Sequence, residues 1–255
     1  MCRHLAYLGP PVTLADLVLH QPHSLLHQSW APADMRGGGT VNADGFGIGW
    51  LVGDPGDGGV ARRYRRDVPM WADASLPDLA ASVSSGAILA AVRNASAGMP
   101  VTETACAPFV EGAQMFSHNG VVRGWPASVA PLAGALPPTD LMTLEAPTDS
   151  AFLWALVRQH LREGRTGAAA LADVVGDVMA LAPGSRLNLL LSDGVHIAAT
   201  TVSHALWVLD GEGSITVSSE PLDPDERQWQ PVPDLSLLEA TATDYSIQPL
   251  DQGWS

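Results

Sequence analysis

With 255 residues, 46% of them hydrophobic, the chain is long enough to bury a sizeable core as one large domain or two small ones. Its 27 acidic residues against 13 basic ones give a formal net charge of −14, which argues against a nucleic-acid backbone or an anionic membrane surface as a partner. Two cysteines make no disulfide framework, no stretch is long and apolar enough to span a bilayer, and the amino terminus lacks a secretory pattern, so a cytoplasmic protein is expected.

No long Pro/Ser-rich or charged linker divides the chain, and a single domain over residues 2–255 is expected. Residues 3–8 read as a first strand, ended by Gly9-Pro10-Pro11. Thr13 is placed to cap a helix opening at Leu14, with Asp16 in its first turn and Pro22 as its limit. Strands over 46–52 and 61–65 pair across the Gly/Asp-rich loop 53–59, and the apolar run 87–92 suits a buried strand. Residues 114–118 form a short strand running into Asn119-Gly120, which has the composition of a tight turn. Helices follow over 150–163 and 167–181, the second stopped by Pro183-Gly184. A meander of strands over 187–191, 195–199, 205–209 and 214–218 comes next, so antiparallel strands flank a helical pair and imply layers of sheet and helix.

Chemically, Cys2 is the most informative residue. Removal of Met1 leaves a thiol and a free α-amine on one residue, and with ordinary pKa values of about 8.5 and about 7.7–8.0 the amine is a plausible base for the thiol. A cysteine at the start of a strand by chance is the bland alternative. A thiol that attacks an amide creates an oxyanion, for which Asn119-Gly120 offers a side-chain amide and a backbone N–H, unless the pair is simply a turn. Arg93 follows a buried strand and must meet an anion there, either a substrate carboxylate or a carboxylate of the protein. Asp149 either caps the helix behind it or receives a substrate ammonium.

The remaining candidates are weaker. His118, His196 and His204 lack compact metal-ligand spacing, and Pro22 spoils a helix face for His20, His23 and His27, so neither a metal nor another cofactor is expected. Trp30 and Trp125 lie in loop-like segments where an aromatic face can meet a ligand cation, although ordinary packing explains either. Cys106 has no paired cysteine or obvious base and reads as structural.

Taken in this order, the motifs resemble the class II glutamine amidotransferases, whose N-terminal cysteine domain has the Ntn-hydrolase fold. The resemblance implies an α+β, four-layer αββα architecture with two stacked antiparallel sheets between helical layers. Met1-Cys2 looks like the processed nucleophile of that family, and Arg93-Asn94-Ala95-Ser96-Ala97-Gly98 is similar to its Arg-x-Ala-Thr-x-Gly loop. Arg93 is thereby implied as the clamp on a glutamyl α-carboxylate, with Ser96 where threonine is usual. His118-Asn119-Gly120 resembles the oxyanion-hole turn, His118 falling among the substrate-binding residues. Asp44, Gly45 and Gly47 match the pocket-floor segment Asp-Gly-x-Gly. Asp149 matches the receiver of the substrate α-ammonium, although Ala151 stands where an acidic residue is common. Ser219-Glu220-Pro221-Leu222 looks like a late strand end of the same domain.

The stretch Met-Cys-Arg-His-Leu-Ala-Tyr-Leu-Gly at the start and Trp229-Gln230-Pro231-Val232-Pro233 near the end look like the stand-alone amidohydrolases of ergothioneine biosynthesis. That resemblance implies hydrolysis of the γ-glutamyl amide of γ-glutamyl-hercynylcysteine sulfoxide through a thioester, with a small-molecule substrate and no cofactor. A glutaminase that feeds ammonia to a partner is one alternative, and a catalytically silent interaction domain is another.

Overall fold

In the computed structural model, residues 2–35, 41–223 and 228–250 are described. The chain opens with β1 (Arg3–Thr13), α1 (Leu14–Val18), α2 (Leu25–Gln28), β2 (Phe46–Val52) and β3 (Val60–Arg66). It continues through α3 (Leu76–Ser82), β4 (Ser84–Val92), β5 (Phe109–Glu111), β6 (Gln114–Val121), α4 (Ala130–Ala133) and α5 (Pro138–Met142). The two long helices α6 (Asp149–Arg162) and α7 (Gly167–Leu181) precede β7 (Arg186–Ser192), β8 (Ile197–Thr201), β9 (Trp207–Gly211) and β10 (Ser214–Ser218). Three further strands follow, β11 (Trp229–Pro231), β12 (Ser236–Ala240) and β13 (Tyr245–Pro249).

The strands form two sheets, one of seven strands in the order β11-β9-β10-β1-β4-β2-β3 and one of six in the order β13-β12-β8-β7-β6-β5. Side chains alternate across each strand, so each sheet has two faces to bury. In the first sheet Ala6, Leu8, Leu89 and Val217 turn inward and meet Met115, Leu190 and Ile197 of the second. Leu5, Tyr7, Ile48 and Ile88 turn outward beneath Leu14, Leu25 and Leu76 of the short helices. The outer face of the second sheet, with Phe116, Leu189 and Leu191, packs on Leu153, Val157, Leu171 and Val175 of α6 and α7. Two antiparallel sheets between helical layers are thus the four-layer αββα arrangement.

Local signals hold where local energetics dominate. Thr13 Oγ1 accepts the Asp16 N–H at 3.0 Å and caps α1 as expected. Three expectations require correction. β1 does not stop at Gly9-Pro10-Pro11, because pairing with β4 resumes at Val12↔Ser85 after a register shift, so these residues form an irregularity within the strand. Asn119-Gly120 is not a turn, since Asn119 pairs with Asn188 and Gly120 with Leu187 inside the β6–β7 ladder. The late meander is divided, with β7 and β8 in the second sheet and β9 and β10 in the first. Among the described residues, no helix is long and apolar enough to cross a membrane.

Register sets up one end of the first sheet as a meeting point. Arg3 lies opposite Val92, and Phe46 lies opposite both Val92 and Arg66, so the start of β1, the end of β4, the start of β2 and the end of β3 come together.

Candidate active site

Cys2 stands just before β1 at that end, its Sγ 3.7 Å from the carbonyl oxygen of Asn94. Cys2, Arg93, Cys106, Ser117, His118 and Ser150 line one small cavity, which brings residues from both sheets and α6 to Cys2. A much larger cavity of about 610 Å³, beside Gln114, His196 and Tyr245 at the far end of the second sheet, contains none of the expected site residues.

The segment around Arg93 is stitched to the Asp44 loop. Arg93 N–H donates to Gly45 O at 2.8 Å, Asp44 N–H donates to Arg93 O at 3.0 Å, and Asp44 Oδ2 accepts the Ala95 N–H at 2.8 Å. Arg93 Nη1 donates to Pro100 O at 2.8 Å, and among the described residues no carboxylate pairs with this guanidinium. An arginine held by a carbonyl keeps most of its five donors for another anion, which favours the substrate-carboxylate reading over an internal salt bridge. Ser96 is exposed in the same loop, its carbonyl accepting the Met99 N–H at 3.0 Å.

The Asp-Gly-x-Gly floor follows from close approach. Gly45 has φ +119° and a Cβ there would lie 2.4 Å from Cys106 Sγ, while a Cβ on Gly47 would lie 2.2 Å from Ala107 O. Cys106 is buried, and burial pushes its thiol up to about 11 despite the nearby Arg93 and Arg65. It is protonated at neutral pH, where a thiol is a weak nucleophile.

On β6 alternation sends Ser117 and Asn119 toward the first sheet and His118 toward α6. His118 Nε2 donates to Arg186 O at 3.0 Å, and Nδ1 lies 3.0 Å from Ser150 Oγ, so both ring nitrogens are engaged. Asn119 is buried and its Oδ1 has no hydrogen-bond partner among the described residues. Gly120 is required by packing, because a Cβ would lie 1.9 Å from Arg186 O. Ser117 Oγ sits 3.2 Å from Nδ1 of His4, whose ring is fully buried between the sheets. Burial, then the charges of His118, His204 and Arg3, push His4 down to about 3, which makes it a neutral hydrogen-bonding group rather than a base at neutral pH.

Asp149 does not cap α6. Thr148 takes that place, its Oγ1 accepting the Ala151 N–H at 3.2 Å, and Asp149 is the first helical residue. Its buried carboxylate accepts Val122 N–H at 3.0 Å and Ser150 N–H at 2.8 Å, tying the end of β6 to α6. Ser150 Oγ also lies 3.4 Å from Oδ1, and a carboxylate with about four acceptor sites still has a lone pair left for an ammonium.

Trp125 is a packing residue, tilted on Phe152 with ring centroids 5.3 Å apart. Trp30 is 44% exposed and meets the equally exposed Trp71 edge to face at 6.0 Å and 88°. The sequence did not single out Trp71, Ser150 or Arg3, the last of which forms a buried ion pair with Glu220 at 2.7 Å. Proximity to the cysteine motif and to Asp149 was the available signal for Arg3 and Ser150. For Trp71 there was none.

The description "glutamine amidotransferases class-II" belongs to the family model that matches residues 14–213. A γ-glutamyl-hercynylcysteine sulfoxide hydrolase of Mycolicibacterium smegmatis is 41% identical, with 98% of this chain and all of the relative aligned. Its namesake in Mycobacterium tuberculosis H37Rv is 37% identical over 99% of this chain and 98% of the relative. Among solved structures, a glutamine aminotransferase class-II domain protein from Silicibacter pomeroyi superposes with TM-score 0.66 at 24% identity, covering 98% of this chain and 99% of that one. The B. subtilis glutamine PRPP amidotransferase matches 99% of this chain with half of its own, at TM-score 0.64 and 13% identity, a likeness of fold alone. With the family model spanning most of the chain and full-length relatives above 30% identity, this protein belongs to the class-II glutamine amidotransferases.

Proposed function

We propose that this protein hydrolyses the γ-glutamyl amide of γ-glutamyl-hercynylcysteine sulfoxide, releasing glutamate and hercynylcysteine sulfoxide in ergothioneine biosynthesis, as a cytoplasmic single-domain enzyme. The observation that carries the reading is the full-length alignment with hydrolases of that name, joined to a cavity that holds Cys2 beside an arginine without a carboxylate partner among the described residues.

Once Met1 is removed, the Cys2 α-amine takes the thiol proton, directly or through a water, and the thiolate attacks the γ-carbonyl. The Asn119 side-chain amide and the Gly120 N–H stabilise the oxyanion, and the protonated amine passes its proton to the leaving nitrogen. Water then hydrolyses the thioester. Arg93 takes the α-carboxylate and Asp149 the α-ammonium, which places the carbonyl about 3–3.5 Å from sulfur. His118, pinned by Ser150 and Arg186, shapes the wall of the cavity, Ser96 lies at its outer loop, and Asp44, Gly45 and Gly47 support the floor. The exposed Trp30–Trp71 corner supports the leaving portion, because its trimethylammonium is attracted to an aromatic face.

Side-by-side kinetics with glutamine and the γ-glutamyl conjugate at one pH test the substrate. The conjugate should have the higher kcat/KM by at least about tenfold, or roughly 1.4 kcal/mol of transition-state binding. Equal efficiencies, or a preference for glutamine, move the reading to a glutaminase with the same chemical roles. Intact mass of active protein should show Met1 absent, and Cys2→Ala should abolish the γ-glutamyl adduct. An adduct trapped on Cys106 or full activity with Met1 retained overturns the nucleophile.

A further inference from the structure

We infer that Arg3 and Glu220 are positioning residues for the nucleophile, holding the peptide plane from which the Cys2 α-amine and thiol both hang. The inference rests on the N-terminal-cysteine mechanism proposed above.

Arg3 uses all three of its guanidinium nitrogens. Nε donates to Glu220 Oε1 at 2.7 Å, Nη1 donates to the carbonyl oxygen of Cys2 at 3.0 Å, and Nη2 donates to the carbonyl of Asp34. Glu220 is equally committed. Its Oε1 also accepts the Asp34 N–H at 3.1 Å, and its Oε2 accepts the Ala33 N–H at 2.9 Å and His23 Nε2 at 2.5 Å. Both side chains are 2–3% exposed. Burial alone raises the Glu220 pKa, but His23, Arg3 and the two backbone donors outweigh it and hold the carboxyl below its ordinary value, so it stays ionised.

The contact with Cys2 O is what makes this more than a structural ion pair. A chain terminus frays unless something ties it down, and a processed Cys2 has no preceding residue to extend β1. With its carbonyl fixed by Arg3, the residue keeps two rotations that matter, one about Cα–C and one about Cα–Cβ. The base and the nucleophile therefore keep a fixed orientation toward the cavity that Cys2 shares with Ser117 and His118 of β6. Glu220 supplies the opposite charge, so Arg3 does not present an uncompensated cation beside an amine that must accept a proton. The same carboxylate fixes residues 33 and 34, which places the Cys2 carbonyl and the 33–34 segment under one anchor.

The test is steady-state kinetics of Arg3→Lys and Glu220→Gln with both glutamine and the γ-glutamyl conjugate. Lysine can meet Glu220 but cannot donate to three acceptors in a fork. Because a displacement near 1 Å costs about a hundredfold in rate, kcat should fall by at least about tenfold with KM within about twofold, for whichever of the two substrates the enzyme cleaves. Asp140→Asn, which breaks an ion pair with Arg162 in another layer, serves as the comparison for lost stability and should keep its kcat. Unchanged kcat in folded Arg3→Lys, or a rise in KM alone, overturns the inference. If neither variant folds, His23→Ala at the partly exposed end of the network decides: a kcat loss of about threefold or more supports positioning, and unchanged kcat overturns it. Since the effect acts on the nucleophile, it appears whichever leaving amine is preferred, and its failure is distinct from a failure of the substrate assignment.

Discussion

Replacing Gly120 by alanine tests the oxyanion site through packing. A Cβ at this position would lie 1.9 Å from Arg186 O, 2.6 Å from Arg186 C and 2.6 Å from His118 Nε2. Ordinary contact begins at 3.4 Å, so the β6 and β7 backbones must separate by more than an ångström or tilt apart. Backbone has no flexible end to yield, and the movement strains the Asn119↔Asn188 and Gly120↔Leu187 pairs together with the 3.0 Å bond from His118 to Arg186 O. Overpacking of this kind costs about 1–3 kcal/mol, and a lost buried hydrogen bond adds about 1 kcal/mol. A domain stable by about 5–15 kcal/mol survives that in large part. Catalysis does not, because losing or misplacing one oxyanion donor lowers kcat by about 10²–10³. The assay is kcat per folded molecule, with folded fraction and stability from urea unfolding followed by circular dichroism. Folded Gly120→Ala with kcat within about threefold of wild type would refute both the donor role and the close-approach argument.

Arg93→Lys should lose more than about tenfold in kcat/KM, because an ammonium cannot reproduce a planar two-oxygen fork, and near-wild-type hydrolysis returns Arg93 to a structural role. Acid should destabilise the fold through His4 and His204, whose pKa values are lowered from 6.5 to about 3 and about 4, mainly by burial. The unfolded chain binds more protons below 6.5, so the contribution is full above that pH and is lost as pH falls toward the folded values. The urea midpoint should drop between pH 6.5 and 4.5, and a flat profile contradicts the burial of neutral imidazoles. Trp71→Ala should lower kcat/KM for the cationic conjugate by about three- to tenfold, more than for glutamine, as expected of a cation–π contact worth about 0.5–1.5 kcal/mol. Equal effects on both substrates remove the corner from leaving-group recognition.

Legible in the amino-acid sequence is whatever depends on neighbours along the chain. The Thr13 cap, the β2–β3 hairpin and the stop of α7 before Pro183-Gly184 are local arrangements of backbone donors, side-chain periodicity and fixed dihedrals. Cys2, Arg93, Asp149 and the Asp-Gly-x-Gly segment stand out as candidates because their residue types are demanding in themselves: a sulfur beside an amine, a half-buried fork after a buried strand, glycines against backbone. Other features are decided between distant segments. Asn119-Gly120 has turn composition, yet ladder bonds to β7 hold it in a strand, and the same pairing brings Arg186 O so close that only glycine fits. Thr148 rather than Asp149 caps α6 because the Asp149 carboxylate reaches Val122 across the packed layers. Arg3 reads as an ordinary strand residue, and Glu220 stands 217 positions away. Sequence alone determined which groups the chemistry has available. The tertiary structure decided which of them meet, because burial and long-range pairing, with energies larger than any local propensity, set the distances over which hydrogen bonds and charges act.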